Sequence, residues 1–213
     1  HRFRYYAHLN SGLKIRYNGK RYESRYGLAD LLGEELGEQV AVYDIVPIEL
    51  DRLEFAFTHT HTSGESYSSF VTGQHTGDGG THQSAFREGL LKGVNEFAGH
   101  NYAGPDVRDG LIGAVAVKLQ DPVFESQTKN KLGSTEVRSW VVSDVKDHVV
   151  RWLHENPDAG ERLLTKVKAN EKVRKELAAV KKAAKERARK VAIRIPKLID
   201  CKVHLSDRKP ARK

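Results

Sequence analysis

The run Leu111-Ile112-Gly113-Ala114-Val115-Ala116-Val117-Lys118-Leu119 constrains the fold of this chain more than any other segment. It is apolar but for one lysine and is closed by Asp121-Pro122. It lacks the polar alternation of a half-exposed strand, and it falls well short of the ~20 apolar residues of a membrane span. It therefore predicts a strand buried on both faces, inside a covered sheet. With 38% apolar and 30% charged residues, the 213-residue chain has the material to cover it. No apolar run reaches membrane-spanning length, and no secretory hydrophobic region lies near His1. Cys201, the single cysteine, cannot close an internal disulfide, so a cytoplasmic location is expected. The chain holds no Met and begins with His1, which leads us to expect a segment of a longer polypeptide.

Other elements can be read around that strand. Residues 13–17 alternate apolar and polar, Asn18-Gly19 supplies two positive-φ turn positions, and 21–26 returns as the partner strand. Leu28 to Leu36 reads as a short helix, and Val40 to Val46, Arg52 to His59 and Tyr67 to Val71 read as strands. Thr81 is a good N-cap for a helix in which Phe86, Leu90, Leu91, Val94 and Phe97 recur at helical spacing. A second helix is predicted from Thr135 to His154, broken at Asn156-Pro157.

Beyond that break no Gly or Pro interrupts Glu161 to Ile195. Val173, Leu177, Val180, Ala184, Ala188 and Val191 form a narrow seam on this long charged helix, which Pro196 ends. We therefore expect a mixed α+β domain over 1–155, a long basic helix over 156–195, and a linker over 196–213. The helix reads as a lever leaving the body, not as a core element. Charge divides the same way. Residues 1–158 carry 17 basic against 22 acidic side chains, and 159–213 carry 19 against 6. A basic tail on an acidic body points to a polyanionic partner, with a solvated helix face as the alternative.

Few residues carry a chemical signature. Gly77-Asp78-Gly79-Gly80, ahead of a helix, could cradle a phosphate with open backbone N–H groups, or could simply be a tight loop feeding that helix. It matches neither a P-loop nor a dinucleotide fingerprint. His59 and His61, on one face of a strand, with His75 and His82, invite a metal reading, but no Cys or HExxH helix supports it, and exposed polar histidines are the expectation. Ser, His and Asp are plentiful, yet no G-x-S-x-G elbow accompanies them, so independent hydrolysis is not expected. The most suggestive stretch is Phe124-Glu125-Ser126-Gln127-Thr128-Lys129-Asn130-Lys131-Leu132. If extended, it would point Gln127 and Lys129 to the same side. A directional amide and a compact ammonium suit a terminal phosphate.

These pieces also form an ordered set. Ser69-Phe70-Val71 through Gln74, Gly79-Gly80-Thr81-His82 with Phe86-Arg87, Asp106-Val107-Arg108-Asp109-Gly110-Leu111, Asp121-Pro122-Val123-Phe124-Glu125-Ser126-Gln127-Thr128-Lys129 and Pro196-Lys197-Leu198-Ile199-Asp200-Cys201 occur in one order. Together they resemble the ATPase subunit of bacterial type IIA topoisomerases, the family of gyrase and topoisomerase IV B subunits. The tail from Lys197 to His204 is more similar to topoisomerase IV versions.

The resemblance implies a transducer domain between a GHKL nucleotide-binding domain and a TOPRIM domain. Its fold would be a two-layer α/β sandwich of ribosomal-protein type with a left-handed βαβ crossover, against the usual hand, followed by a long C-terminal helix. It implies that Gln127 and Lys129 touch the γ-phosphate of ATP held, with Mg2+, mainly by the neighbouring domain. Lys181, Lys182, Lys185, Arg187, Arg189 and Lys190 would then face DNA. Further implied partners are a second copy in an ATP-dependent dimer and a DNA-cleaving A-type subunit, at the nucleoid. The GHKL and TOPRIM motifs are not in this stretch, so no catalytic residue and no metal ligand is expected here. A ribosomal-type nucleic-acid-binding module and the transducer of another GHKL ATPase are the alternatives.

Overall fold

The computed structural model describes residues 2–190, with side chains through Arg187. Its elements are α1 (Arg2–Leu9), β1 (Ile15–Tyr17), β2 (Lys20–Tyr22), α2 (Leu28–Leu36), β3 (Val46–Glu49), β4 (Leu53–His59), β5 (Glu65–Val71), β6 (Gln74–His75), α3 (Thr81–Ala98), α4 (Gly104–Arg108), β7 (Leu111–Val117), α5 (Val137–Glu155) and α6 (Pro157–Lys190). The fold is mixed α+β. The first hairpin turns at Asn18 (φ +48°) and Gly19 (φ +76°), the paired left-handed positions its sequence requires.

Five strands form one sheet in the order β3-β4-β7-β5-β6. The run from Leu111 is its middle strand, and all seven residues of β7 are buried. β4 pairs with it antiparallel along seven residues, and β5 pairs with it parallel. The expected βαβ crossover is thus the path from β5 through β6, α3 and α4 to β7. Side chains alternate across the sheet between two apolar clusters. Leu53, Phe55, Phe57, Val115 and Val117 face α3 and α5, whereas Ala56, Ala114, Ala116 and Phe70 face Leu28, Leu31 and Leu32 of α2. The sandwich of sheet and long helices is present, and α1 and α2 add cover on its second face.

Helices α3 and α5 approach closely because Gly89 and Gly93 lie under Val145 and Val149. A Cβ on Gly89 would sit 2.8 Å from Val145 Cβ, and one on Gly93 would sit 2.9 Å from Val149 Cγ1. At its start α6 is a core element, which corrects the expectation of a lever along its whole length. Ala159, Leu163 and Val167 are buried with the α5 valines. Lys166 reaches Asp109 at 3.9 Å, and Asn170 Nδ2 donates to the Asp106 carbonyl at 2.9 Å.

Two compact units divide the chain, one through Val173 and one from Arg174 onward. In the second, Leu177 and Val180 are exposed, as are Lys181, Lys182, Lys185 and Arg187. The side chains of Ala188, Arg189 and Lys190, and everything expected at Val191, Pro196, Cys201 and the 196–213 linker, lie outside the described residues.

Four local expectations are corrected. Residues 40–45 make only an isolated bridge, Ala41 with Thr60, because Tyr43 turns inward while Val40 stays exposed. Thr81 does not cap α3. Gly80 holds the cap position, and the Thr81 hydroxyl donates to the Ser134 carbonyl at 2.7 Å. His61 lies past the end of β4, so it shares no strand face with His59. The histidines are not uniformly exposed: His59 and His82 are fully buried.

Candidate functional site

The Gln-Thr-Lys segment follows β7 and is a closed loop. Phe124 and Leu132 form an antiparallel bridge at its neck, where the Glu125 amide donates to the Lys131 carbonyl at 3.0 Å. At the tip the Lys129 amide donates to the Ser126 carbonyl at 3.1 Å, which makes Ser126–Lys129 a tight turn with Gln127 and Thr128 at its corners. Lys129 itself has φ +56°. The segment is therefore not extended, and the same-side premise for Gln127 and Lys129 does not hold. Both residues are instead exposed on one four-residue turn.

The charges in the loop are unequal. Lys131 pairs with Glu125 at 3.0 Å. Lys129 has no carboxylate partner among the described residues, and its Nζ lies 5.9 Å from the centroid of the Phe124 ring. A full positive charge and a free amide thus stand at the tip.

The glycine turn serves this loop and does not cradle a phosphate. The Asp78 amide donates to the Asn130 carbonyl at 3.0 Å, the Thr81 amide to the Leu132 carbonyl at 3.1 Å, and the Leu132 amide to the Gly79 carbonyl at 3.1 Å. The Gly79 amide is taken by the Thr76 carbonyl at 2.9 Å. Three of the amides offered to an anion are thereby used. Gly80 has to be glycine: φ is +134°, and a Cβ would sit 2.5 Å from both Leu132 N and Leu132 O. Sequence reasoning misses this seat. Its one signal is a pair of glycines at a helix start, and the partner that explains them lies some fifty residues away.

The buried histidines hold the frame. Nε2 of His59 donates to the Val107 carbonyl at 2.8 Å, so in the neutral ring Nδ1 accepts the Tyr43 hydroxyl. Burial pushes its pKa down to about 4, with the Val107 hydrogen bond opposing. His82 Nε2 shares a hydrogen bond with Thr76 Oγ1 at 3.2 Å and Nδ1 is buried without a partner, and burial likewise lowers its pKa to about 4. His75 is half-buried and stacks on Tyr5, 4.8 Å between centroids. Among the described residues no three His, Cys, Asp or Glu side chains cluster as metal ligands, and no helix is long and apolar enough to cross a membrane.

Known proteins share this fold. A family model described as DNA gyrase B matches residues 27–184. The chain belongs to the DNA gyrase B family. It is 48% identical over 206 residues to the B subunit of DNA topoisomerase 4 from Borreliella burgdorferi, covering 97% of this chain and 34% of that protein. It is 34% identical over 184 residues to the B subunit of DNA gyrase from Archaeoglobus fulgidus, covering 79% of this chain and 29% of that one. The chain thus spans about a third of the length of these relatives. The 43K ATPase domain of Thermus thermophilus gyrase B has the same fold at a TM-score of 0.74 and 24% identity, covering 85% of this chain and 54% of that one. The ATPase region of Saccharomyces cerevisiae topoisomerase II matches at 0.59 and 19% identity, covering 77% and 42%. Membership of the DNA gyrase B family sets aside the ribosomal-type module and the transducer of another GHKL ATPase.

Proposed function

We propose that the chain is the transducer segment of the B subunit of an ATP-dependent type II topoisomerase. In this reading the turn Ser126–Lys129 senses the terminal phosphate of ATP held with Mg2+ by an adjoining domain. The single observation that carries it is the unpaired Lys129 ammonium on an exposed, hydrogen-bonded turn beside a free Gln127 amide. Lys129 binds the doubly charged terminal phosphate as a point charge, and Gln127 adds a directional N–H donor. While that group is present, the two domains are held in one relative orientation. Once it has left, the contact is gone and the alternative orientation is released. Only a contact that differs between two states can shift their balance, and this one does. Among the described residues no three His, Cys, Asp or Glu side chains cluster, and no step here runs through the metal.

The output of the switch is the closing of a dimeric clamp on DNA and the passage of a strand, with an A-type subunit making the cut. The exposed basic residues Lys181, Lys182, Lys185 and Arg187, with Arg189 and Lys190, would meet DNA phosphates, and α6 would serve as the lever. The identity of 48% to the B subunit of a topoisomerase 4, against 34% to that of a gyrase, favours the topoisomerase IV type. The cytoplasm, at the nucleoid, is the corresponding location.

Replacing Lys129 by alanine in the intact protein tests this. Losing a charge-assisted hydrogen bond of ~1.5–3 kcal/mol lowers ATP turnover by roughly tenfold or more. The side chain is exposed, so the melting temperature of the domain stays where it was. Unchanged turnover would sink the assignment.

A further inference from the structure

Lys129 sits at φ +56°, a backbone region that long side chains seldom occupy. Such a residue persists where its surroundings over-determine it. Two supports converge on this one. The first is the seat at the start of α3, where main-chain hydrogen bonds from Asp78, Thr81 and Leu132 pin the base of the loop and leave Leu132 fully buried. The second is the Phe124 ring, half-buried against the hydrophobic core, with the Lys129 ammonium 5.9 Å from its centroid.

We propose that Phe124 and Gly80 are positioning residues that hold the Lys129 ammonium at the loop tip before a phosphate arrives. This deepens the phosphate-sensing role assigned to Lys129 above and rests on it. The chemistry explains why a ring is used. A carboxylate would also hold the ammonium, as Glu125 holds Lys131 at 3.0 Å, but it would neutralise the charge and have to be displaced. An aromatic face attracts the cation through its quadrupole and leaves the whole positive charge for the ligand. Lysine is rich in rotamers, so fixing it in advance removes an ordering cost from the binding step.

Gly80 acts one level further back. Any side chain there would drive into the Leu132 backbone, which lies 2.5 Å from the Cβ position. The loop neck would shift, and the Phe124–Leu132 bridge that aims the ring would shift with it.

The test is a double-mutant cycle on ATP turnover in the intact protein, using Phe124→Leu, Lys129→Ala and the pair, with melting temperature followed in parallel. Phe124→Leu keeps the apolar contact and loses the aromatic face, so turnover falls about two- to fivefold. Phe124→Trp restores it, since indole is the better face. In the Lys129→Ala background, Phe124→Leu has no further effect, because the group it positions is gone. Gly80→Ala behaves the same way with a larger loss. An equal loss from Phe124→Leu in both backgrounds would show a packing role and overturn the proposal. A silent Phe124→Leu beside an impaired Lys129→Ala overturns the positioning while leaving the phosphate reading intact. A silent Lys129→Ala removes both.

Discussion

Lowering the pH from 7 to 5 should destabilise this domain through His59 and His82, well before its carboxylates take up protons. Both rings are fully buried and neutral, with pKa values near 4, whereas an unfolded histidine titrates near 6.5. A folded pKa below the unfolded one means that the unfolded chain binds the proton first. Stability is therefore complete above pH 6.5 and declines as pH falls toward 4. At pH 5 the unfolded ring is almost fully charged and the folded ring almost fully neutral, which gives about 2 kcal/mol per histidine. His82 isolates the effect, because its Nδ1 has no partner and Thr76 keeps hydrogen bonds to Ser69 when the ring is removed. Urea unfolding followed by Trp140 and Trp152 fluorescence, at pH 7 and pH 5, should show about 4 kcal/mol lost by the parent domain. His82→Leu should lose about half of that. If His82→Leu keeps the parent pH dependence, the ring is not held neutral by burial and the reasoning fails.

Two further outcomes follow from packing and charge. Gly89→Ala should lower stability by about 1–3 kcal/mol despite alanine's better helix propensity, because the new Cβ meets Val145 Cβ at 2.8 Å and the Val142 carbonyl at 2.9 Å. Gly33→Ala, in the exposed middle of α2 with its nearest neighbour at 4.0 Å, should instead stabilise by up to about 1 kcal/mol, and chemical denaturation compares the pair. For the basic helix, DNA binding measured across salt should weaken with a log–log slope of roughly −5.4 if Lys181, Lys182, Lys185, Arg187, Arg189 and Lys190 each neutralise one phosphate. Absence of binding at low ionic strength reduces them to a solvated face.

The parts of the fold that are legible in the sequence are those set by local chemistry. Asn18-Gly19 specifies its turn because only such residues accept two left-handed conformations in a row. The run from Leu111 specifies a central strand because no polar residue marks a wet face. Leu28 to Leu36 emerges at the expected bounds. What is not legible is short or fixed by distant partners. α4 has five residues and β6 two, too few for any period to show. Residues 40–45 have a strand composition, but Tyr43 is drawn into the core by His59, across a contact sixteen residues long. The start of α6 resembles a solvated helix in composition. Three small or aliphatic residues at 159, 163 and 167 suffice to bury it, and such a narrow stripe is faint beside the lysines around it.

The site shows the same division, with a consequence for how it works. Gln127 and Lys129 are readable as a pair because an amide and an ammonium two residues apart have an obvious common ligand. The geometry that presents them is not readable, since the premise is an extended segment and the chain makes a turn. That turn owes its shape to Gly80, whose lack of a side chain admits Leu132, and to a ring at Phe124 that looks like ordinary core. A glycine pair before a helix reads as a phosphate cradle only while its amides are free. Here three of them are hydrogen-bonded within the protein, two to the loop and one to Thr76. The turn that resembles a ligand site is a support for the loop that carries Gln127 and Lys129. The same seat ties the loop to α3, and Gly89 and Gly93 lock α3 against α5.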